Sequence, residues 1–408
     1  MASPFAVRSF RFQWPADLLT SWAFEMEALL LGWYILSATG SVQQLVVFAA
    51  LAWFGSLLAP VFGVLADRVG HRAVLCATRV GYAAVAAGMT ALTLSGALEP
   101  WHVFVAAGIT GLGRPSDDVM RNSLVGQTMP AGILLRALGL SRTTADTARA
   151  AGALAGAGGV ALIGMGAAYV VVTAMYLAAF LLSLGVGGRP AGASGRAPAL
   201  AQLGRALHYV WTKPDLLGAF SLAFLFNMLA YPFVFGLLPY IAKEVYAAGQ
   251  AGLGYLAAAF WLGALAGSVL VSTIRVPLRA GRVMLGAAAL WFVFILVFAQ
   301  TTSLVPGMAL LLGMGFVQSF CVSPLAAVML RSSDEAMRGR VMGVRMLAVW
   351  GLPLGLLAAG PLIEGLGYTA TTLVYGGMGL AATWAIAWRW RRALWHRSAA
   401  ANAAHAGS

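Results

Sequence analysis

The chain has 408 residues, of which 61% are hydrophobic and only 10% are charged, and its formal net charge at neutral pH is +13. With a mean hydropathy of +0.84, this composition excludes a soluble globular enzyme and predicts an all-α membrane protein. The five histidines are scattered, the two cysteines offer no disulfide framework, and no nucleophile, metal-binding or phosphate-binding motif has a suitable context. We therefore expect no enzymatic activity, no metal site and no cofactor.

Twelve apolar runs follow one another along the chain, each long enough to cross about 30 Å of hydrocarbon as a helix. The first six lie at about 16–38, 45–66, 73–96, 101–120, 143–164 and 167–188. The second six lie at about 215–241, 250–272, 283–300, 305–330, 341–363 and 369–388. These runs predict twelve transmembrane helices in two sets of six.

A polar interruption separates the two sets and defines the predicted domains. Its Gly/Pro/Ser-rich start is typical of a linker, and apolar residues then recur at helical spacing from Leu200 to Trp211, which predicts an amphipathic interfacial helix. The predicted organisation is an N-terminal six-helix bundle over 1–188, a cytoplasmic linker over 189–214, a C-terminal six-helix bundle over 215–390 and a cytoplasmic tail over 391–408.

Positive charges lie on one side of the predicted spans. Arginines precede span one and follow each even-numbered span, whereas Lys243 is the only clear cation on the opposite side. The positive-inside rule then predicts that both termini are cytoplasmic, so the net charge reflects orientation in a lipid bilayer and not a nucleic-acid partner. The preference for Arg over Lys and the Ala/Gly bias suggest a GC-rich bacterial genome, and with it an inner-membrane location.

Short internal matches relate the two halves. Trp53-Phe-Gly-Ser-Leu-Leu-Ala-Pro-Val61 in span two is identical at Trp, Gly, Leu and Val to Trp261-Leu-Gly-Ala-Leu-Ala-Gly-Ser-Val269 in span eight. A second match, at a similar offset, pairs the Arg-x-x-Gly of Arg136 with that of Arg340. The chain is therefore predicted to be a duplication, six spans plus six.

These features resemble the major facilitator superfamily. The central loop and the stretch GVLADRVGHR after span two are typical of it, and charges in that stretch must lie at the membrane surface because each would cost about 2.5–3.5 kcal/mol at the bilayer centre. Motifs similar to those of bacterial exporters of the enterobactin-exporter branch are Thr39-Gly-Ser41, Arg121-Asn-Ser-Leu-Val, Ala148-Arg149-x-x-Gly152, Leu207-His-Tyr-Val-Trp-Thr-Lys-Pro214 and Arg338-Gly-Arg-Val-Met-Gly343. The resemblance implies the major facilitator fold of two pseudo-symmetric six-helix bundles.

In this family the loop after span two acts as a conformational latch that stabilises the outward-open state. Glycines permit a tight turn, an aspartate suits the N-terminus of a neighbouring helix, here span eleven, and arginines can pair with carboxylates below span four. The alternative is a merely solvated basic loop. The expected latch residues are Gly63, Asp67, Arg68, Gly70, Arg72, Asp117 and Asp118.

Two carboxylates lie at membrane depth in span one. Glu25 and Glu27 are two residues apart, so they point about 200° apart around a helix, and we expect one to face a central cavity and the other a helix interface. Intramembrane carboxylates are costly and are candidates for function. We favour Glu27 as the cavity group, carrying a proton or binding a cationic substrate; the alternative is a structural ion pair with an arginine such as Arg149.

Further polar residues at membrane depth could line the same cavity or make ordinary helix–helix hydrogen bonds. Tyr231-Pro232 and Pro239 also predict that span seven is kinked or broken. The additional cavity candidates are Tyr34, Asn227, Tyr231 and Gln318, and Arg121, Asp146 and Arg149 form a candidate charge relay.

The resulting hypothesis is a secondary transporter that works by alternating access and exports an amphipathic small molecule, of drug or siderophore class, driven by the proton gradient. We expect it to be monomeric. Alternatives of the same fold are a lipid or lysophospholipid flippase and a metal-ion exporter, and the alternative from a different class is a receptor or scaffold that transports nothing.

Overall fold

The computed structural model describes residues 3–188, 199–273, 280–334 and 337–391, and every regular element in these ranges is a helix. The first half contains α1 (Arg8–Thr39), α2 (Val42–Leu51), α3 (Ala59–Val69), α4 (His71–Leu94), α5 (Pro100–Thr128), α6 (Ala131–Ala153) and α7 (Gly159–Ser183). After it come α8 (Ala199–Thr212), α9 (Pro214–Leu229), α10 (Pro232–Phe235), α11 (Leu238–Tyr240), α12 (Gly249–Thr273), α13 (Ala280–Phe298), α14 (Leu304–Arg331), α15 (Arg338–Leu347), α16 (Gly351–Leu366) and α17 (Tyr368–Arg389).

Seven helical segments within the described ranges are long and apolar enough to cross a membrane, and one of them runs through the 3₁₀ turn between α15 and α16. The predicted number of twelve spans is therefore not confirmed by length and composition. The other predicted spans are either divided into shorter helices, as spans two and seven are, or carry charged side chains in α1, α5 and α6 that lower their hydropathy. The seven are His71–Leu94, Ile163–Ser183, Gly249–Thr273, Ala280–Phe298, Leu304–Arg331, Arg340–Leu366 and Tyr368–Arg389.

Spans two and eleven each contain a break in the helix, and the two breaks lie against each other. A 3₁₀ segment, Phe54–Leu58, separates α2 from α3, and another, Ala348–Trp350, separates α15 from α16. The rings of Phe54 and Trp350 meet at 5.5 Å between centroids. Neither break was predicted, although Pro60 follows the first break and Gly351 and Pro353 follow the second.

Span seven is broken where its prolines predict. Helix α9 ends at Leu229, Pro232 begins α10, and Pro239 lies in α11, which continues into a π-helical turn over Ile241–Val245. Proline has no backbone N–H to donate and its ring clashes with the preceding turn, so the helix restarts at each one.

Spans five and six differ from the prediction in their boundaries. Helix α6 begins at Ala131, well before the predicted start near 143, and a π-helical turn over Leu154–Gly158 joins it to α7 without a loop. The chain changes direction at Gly164, whose φ is +80°. Helix α6 also packs closely on α1, since a Cβ at Gly152 would lie 2.9 Å from the carbonyl oxygen of Trp22.

The two halves meet along two seams, α2 against α16 and α6 against α12. The linker helix α8 packs mainly on α15. At its end, Lys213 Nζ donates to the Tyr209 hydroxyl at 2.5 Å and to Asp334 Oδ1 at 3.2 Å. These contacts raise the pKa of Lys213 and lower that of Asp334, in both cases chiefly through the hydrogen bond with Tyr209. The rest of the predicted linker, 189–198, and the tail from 392 lie outside the described residues.

Candidate transport cavity

A cavity of about 60 Å³ lies between the two halves, with walls from α1, α2, α5 and the broken segment α10–α11. Pockets that hold drug-sized ligands typically measure about 300–1,000 Å³. The cavity must therefore widen before a molecule of that size can bind. Its polar and aromatic lining consists of Phe24, Glu25, Glu27, Phe48, Trp53, Thr110, Arg114 and Phe235.

Glu27 is bound entirely within the first half. Its carboxylate accepts hydrogen bonds from the hydroxyls of Tyr176 at 2.8 Å and Tyr169 at 3.4 Å, both on α7. Only 6% of Glu27 is exposed. The Tyr176 ring packs edge-on against Phe24 at 5.6 Å, which holds its hydroxyl toward the carboxylate. Glu27 thus lines the cavity, and both of its hydrogen-bond donors are neutral.

Glu25 is bound across the two halves. Its Oε1 accepts a hydrogen bond from Trp261 Nε1 on α12 at 2.8 Å. The guanidinium of Arg149 lies over the Trp261 ring at 4.9 Å and also pairs with Asp146 at 3.4 Å. Both glutamates therefore line the cavity, in contrast to the expectation that only one would, and they differ in which half supplies their partner.

Arg114 is a cavity residue that the sequence reasoning missed. Its guanidinium lies between the rings of Phe24, at 4.9 Å, and Trp53, at 4.6 Å. Such stacking stabilises a cation by the quadrupole of the rings. The sequence did contain a signal, because Arg114 lies inside predicted span four. A charge at membrane depth is a candidate for function, by the same argument that was applied to the two glutamates.

The remaining cavity candidates lie outside the lining. Tyr34 donates to the carbonyl of Leu98 at 2.7 Å, beyond the end of α4. Asn227 donates to a carbonyl one turn back on its own helix. Tyr231 accepts from Gln318 Nε2 at 2.6 Å, and its ring contacts that of Phe235 at 5.2 Å. Tyr231 and Gln318 thus contact each other, and the Phe235 ring lies between them and the cavity.

A buried charge network lies in the first half, away from the cavity. Arg79 on α4, only 1% exposed, pairs with Asp17 at 2.5 Å and with Asp117 at 3.2 Å, and donates to Ser183 at 2.6 Å. Arg121 on α5 pairs with the other oxygen of Asp17 at 3.3 Å. Two arginines and two aspartates thus neutralise one another, as buried charges must.

This network corrects two expectations. Asp117 does not pair with Arg68 or Arg72, because it faces the bundle interior, where Arg79 reaches it. The candidate relay is also divided: Arg121 belongs to the network, where it binds Asp118 as well at 3.3 Å, whereas Asp146 and Arg149 pair with each other near α12. Sequence reasoning did not single out Asp17 and Arg79, although Arg79 lies inside predicted span three. Their separation along the chain leaves no local pattern that would indicate the pairing.

The loop after span two has the expected tight turn, and its Arg72 contacts a backbone carbonyl in place of the expected carboxylate. Gly70 has a φ of +95°, which favours glycine, and it makes the turn between α3 and α4. Arg72 donates to the carbonyl of Leu184 at the end of α7, and Arg68 is exposed. The surroundings of Gly63 and the side chain of Asp67 lie outside what the structure describes.

Comparison with known proteins identifies the fold. The solved structures similar to this chain include a POT family transporter in complex with a thioalcohol-conjugated peptide, with a TM-score of 0.74 and 14% identity over 93% of this chain and 95% of that chain. They also include the nucleoside transporter NupG, with a TM-score of 0.70 and 14% identity over 92% of this chain and 98% of that chain. A third is a bacterial homolog of the human lysosomal transporter Spinster in an inward-facing, unoccupied conformation, with a TM-score of 0.69 and 15% identity over 98% of this chain and 100% of that chain. At such identities the similarity shows the fold alone.

Family membership follows from a match between this sequence and a known protein family. Among individual curated protein sequences, no match is found. The enterobactin-exporter branch is not confirmed by any of these comparisons. Residues 14–353, however, match the family described as the Major Facilitator Superfamily, which is most of the chain. The protein therefore belongs to the Major Facilitator Superfamily and is a multi-pass membrane transporter.

Proposed function

We propose that this transporter works by alternating access and exports an amphipathic small molecule, of drug or siderophore class, in exchange for protons. Glu27 is the proton-coupling group. The observation that carries the proposal is a buried cavity carboxylate whose two hydrogen-bond partners are the neutral phenols of Tyr169 and Tyr176.

The partners of Glu27 favour it over the other buried carboxylates as a proton carrier. Among the described residues, no cation lies within ion-pair distance of Glu27. Protonation therefore removes its charge without breaking an ion pair, and Arg114 in the same cavity keeps its contacts with the rings of Phe24 and Trp53. Protonation of Asp17 would instead deprive Arg79 and Arg121 of a counter-charge, which costs several kcal/mol in a buried pair.

The cavity also has the two surfaces that an amphipathic organic molecule needs. Trp53 and Phe235 supply apolar area, and their rings contact each other at 5.1 Å across the two halves. Arg114 and the glutamates supply charge. The solved relatives include a transporter bound to a modified peptide and one of nucleosides, which supports a small organic solute as the transported molecule.

Orientation and the latch are part of the same proposal. The positions of the arginines along the chain support both termini in the cytoplasm, and the preference for Arg over Lys together with the Ala/Gly bias supports a bacterial inner-membrane location. The loop containing Asp67, Arg68 and Arg72 is the latch, and the bond from Arg72 to the end of α7 ties it to the first half. The protein acts as a monomer.

The test begins with thermal unfolding of the purified protein against siderophores, antibiotics, lipids and divalent metals, because a ligand that binds only the folded state raises stability. The organic molecule that stabilises it is then loaded into proteoliposomes with a pH gradient. We expect Glu27→Gln to lower proton-driven flux at least tenfold, while substrate exchange without a gradient persists. The matched control is Glu364→Gln, which removes an exposed glutamate of α16.

Undiminished proton-driven flux in Glu27→Gln would contradict the assignment of the coupling group. Stabilisation by lipids alone, together with movement of labelled lipid between leaflets, would replace the proposal with a flippase. Stabilisation by divalent metals alone would replace it with a metal exporter.

A further inference from the structure

We infer that Glu25, Trp261 and Arg149 form a cross-half link that stabilises the closed α6–α12 seam. The inference rests on the proposed alternating access, and it is independent of substrate, direction and coupling ion. The link is defined by the hydrogen bond from Trp261 Nε1 to Glu25 Oε1 and by Arg149 stacked over the Trp261 ring.

The geometry joins three helices from both halves. Glu25 lies on α1 and Arg149 on α6, both in the first half, whereas Trp261 lies on α12. A Cβ at Gly152, one turn after Arg149, would lie 3.0 Å from the Glu25 Cβ, so α6 holds the glutamate backbone closely in place. Trp261, 2% exposed, therefore bridges two helices that are already fixed to each other.

When α12 moves away from α6, the hydrogen bond between Trp261 and Glu25 must break. The indole N–H is a donor and has no acceptor capacity, so moving α12 away leaves it without Glu25 and leaves the carboxylate without its donor. A hydrogen bond to a charged group contributes enough to change an equilibrium by roughly 10-fold to 100-fold. We expect the ratio of open to closed seam to rise by about that factor when the bond is removed.

The internal repeat sharpens the assignment. Trp53 is the sequence counterpart of Trp261, and each ring has an arginine over its face, Arg114 in one case and Arg149 in the other. Phe235 contacts both tryptophans. Of these two tryptophans, however, only Trp261 donates its indole N–H to a carboxylate in the described part of the chain. The repeat supplies the stacked arginine twice and the cross-half hydrogen bond once.

The experiment measures seam opening directly. In a background with Cys76→Ala and Cys321→Ala, spin labels are placed by Gly139→Cys on α6 and Ser272→Cys on α12, both exposed, and their distance distribution is measured in lipid nanodiscs without substrate or pH gradient. Trp261→Phe removes the donor and Glu25→Met removes the acceptor. The matched control is Trp291→Phe, because Trp291 is fully buried in the second half and its Nε1 has no partner among the described residues.

We expect Trp261→Phe and Glu25→Met each to raise the open-to-closed ratio about tenfold or more, and Trp291→Phe to leave it within twofold of the parent. The double variant should shift it no further than either single variant, because both remove the same bond. Either single variant suffices if the other does not fold. Distances unchanged relative to Trp291→Phe, or additive shifts in the double variant, would overturn the link. Neither outcome depends on export or proton coupling, so the two proposals can fail separately.

Discussion

Two buried polar regions of the protein, the charge network of the first half and the cavity, both contain carboxylates and differ in how those carboxylates are satisfied. In the network of Asp17, Arg79, Asp117 and Arg121, each carboxylate is paired with a guanidinium inside one half. In the cavity, the carboxylates of Glu25 and Glu27 are bonded to neutral indole and phenol donors. The first arrangement resists any change of charge, whereas the second tolerates it, so burial alone does not identify a functional carboxylate.

The largest effect is expected where a network charge loses its partner. Arg79→Leu leaves two buried aspartates short of a counter-charge and should lower the free energy of unfolding by about 3–5 kcal/mol. The measurement is thermal unfolding in detergent, with Arg68→Leu, at an exposed arginine, as the control. Equal stability of the two variants would remove the distinction between the network and a surface charge.

A smaller effect on stability is expected in the cavity. Glu27→Gln keeps a carbonyl acceptor for Tyr176, so the free energy of unfolding should fall by about 1 kcal/mol or less. The same variant is expected to lose most of its proton-driven flux. In the cavity, therefore, a substitution should abolish activity with little loss of stability, which is not expected in the network. A loss as large as that of Arg79→Leu would show that Glu27 is structural.

The smallest effect is expected at the exposed ion pair outside the membrane. Asp334 has a pKa lowered below its ordinary value of 3.8, so its stabilising contribution is complete above that pH and is lost as the pH falls through the lowered value. Because the pair with Lys213 is solvent-exposed, it contributes little. Asp334→Asn should leave the unfolding temperature at pH 7 within about 1 °C of the parent, and a larger drop would show that this pair anchors α8.

The sequence predicted features that depend on local chemistry. Apolar run length predicted helices, the prolines of span seven predicted its breaks, and the match over residues 14–353 confirmed the superfamily. The two glutamates of span one were recognisable because charge at membrane depth is costly. Each of these inferences uses residues close together along the chain.

Features that depend on tertiary contacts were not predictable. The bond between Glu25 and Trp261 joins residues 236 apart, and that between Asp17 and Arg79 joins residues 62 apart. No periodicity within a helix indicates which distant side chain it will meet. Which carboxylates are paired with arginine, and which with neutral donors, therefore follows only from packing.

The same separations set an order of assembly during synthesis. The Asp17–Arg79 pair can form once α4 has been made, and Ser183 completes that site before the second half begins. Glu25 must await Trp261, which emerges 236 residues later. At about 5–20 residues per second, that interval is roughly 10–50 seconds. The nascent first half thus enters the bilayer with the charges of this network already neutralised, but with the Glu25 carboxylate still lacking its indole donor.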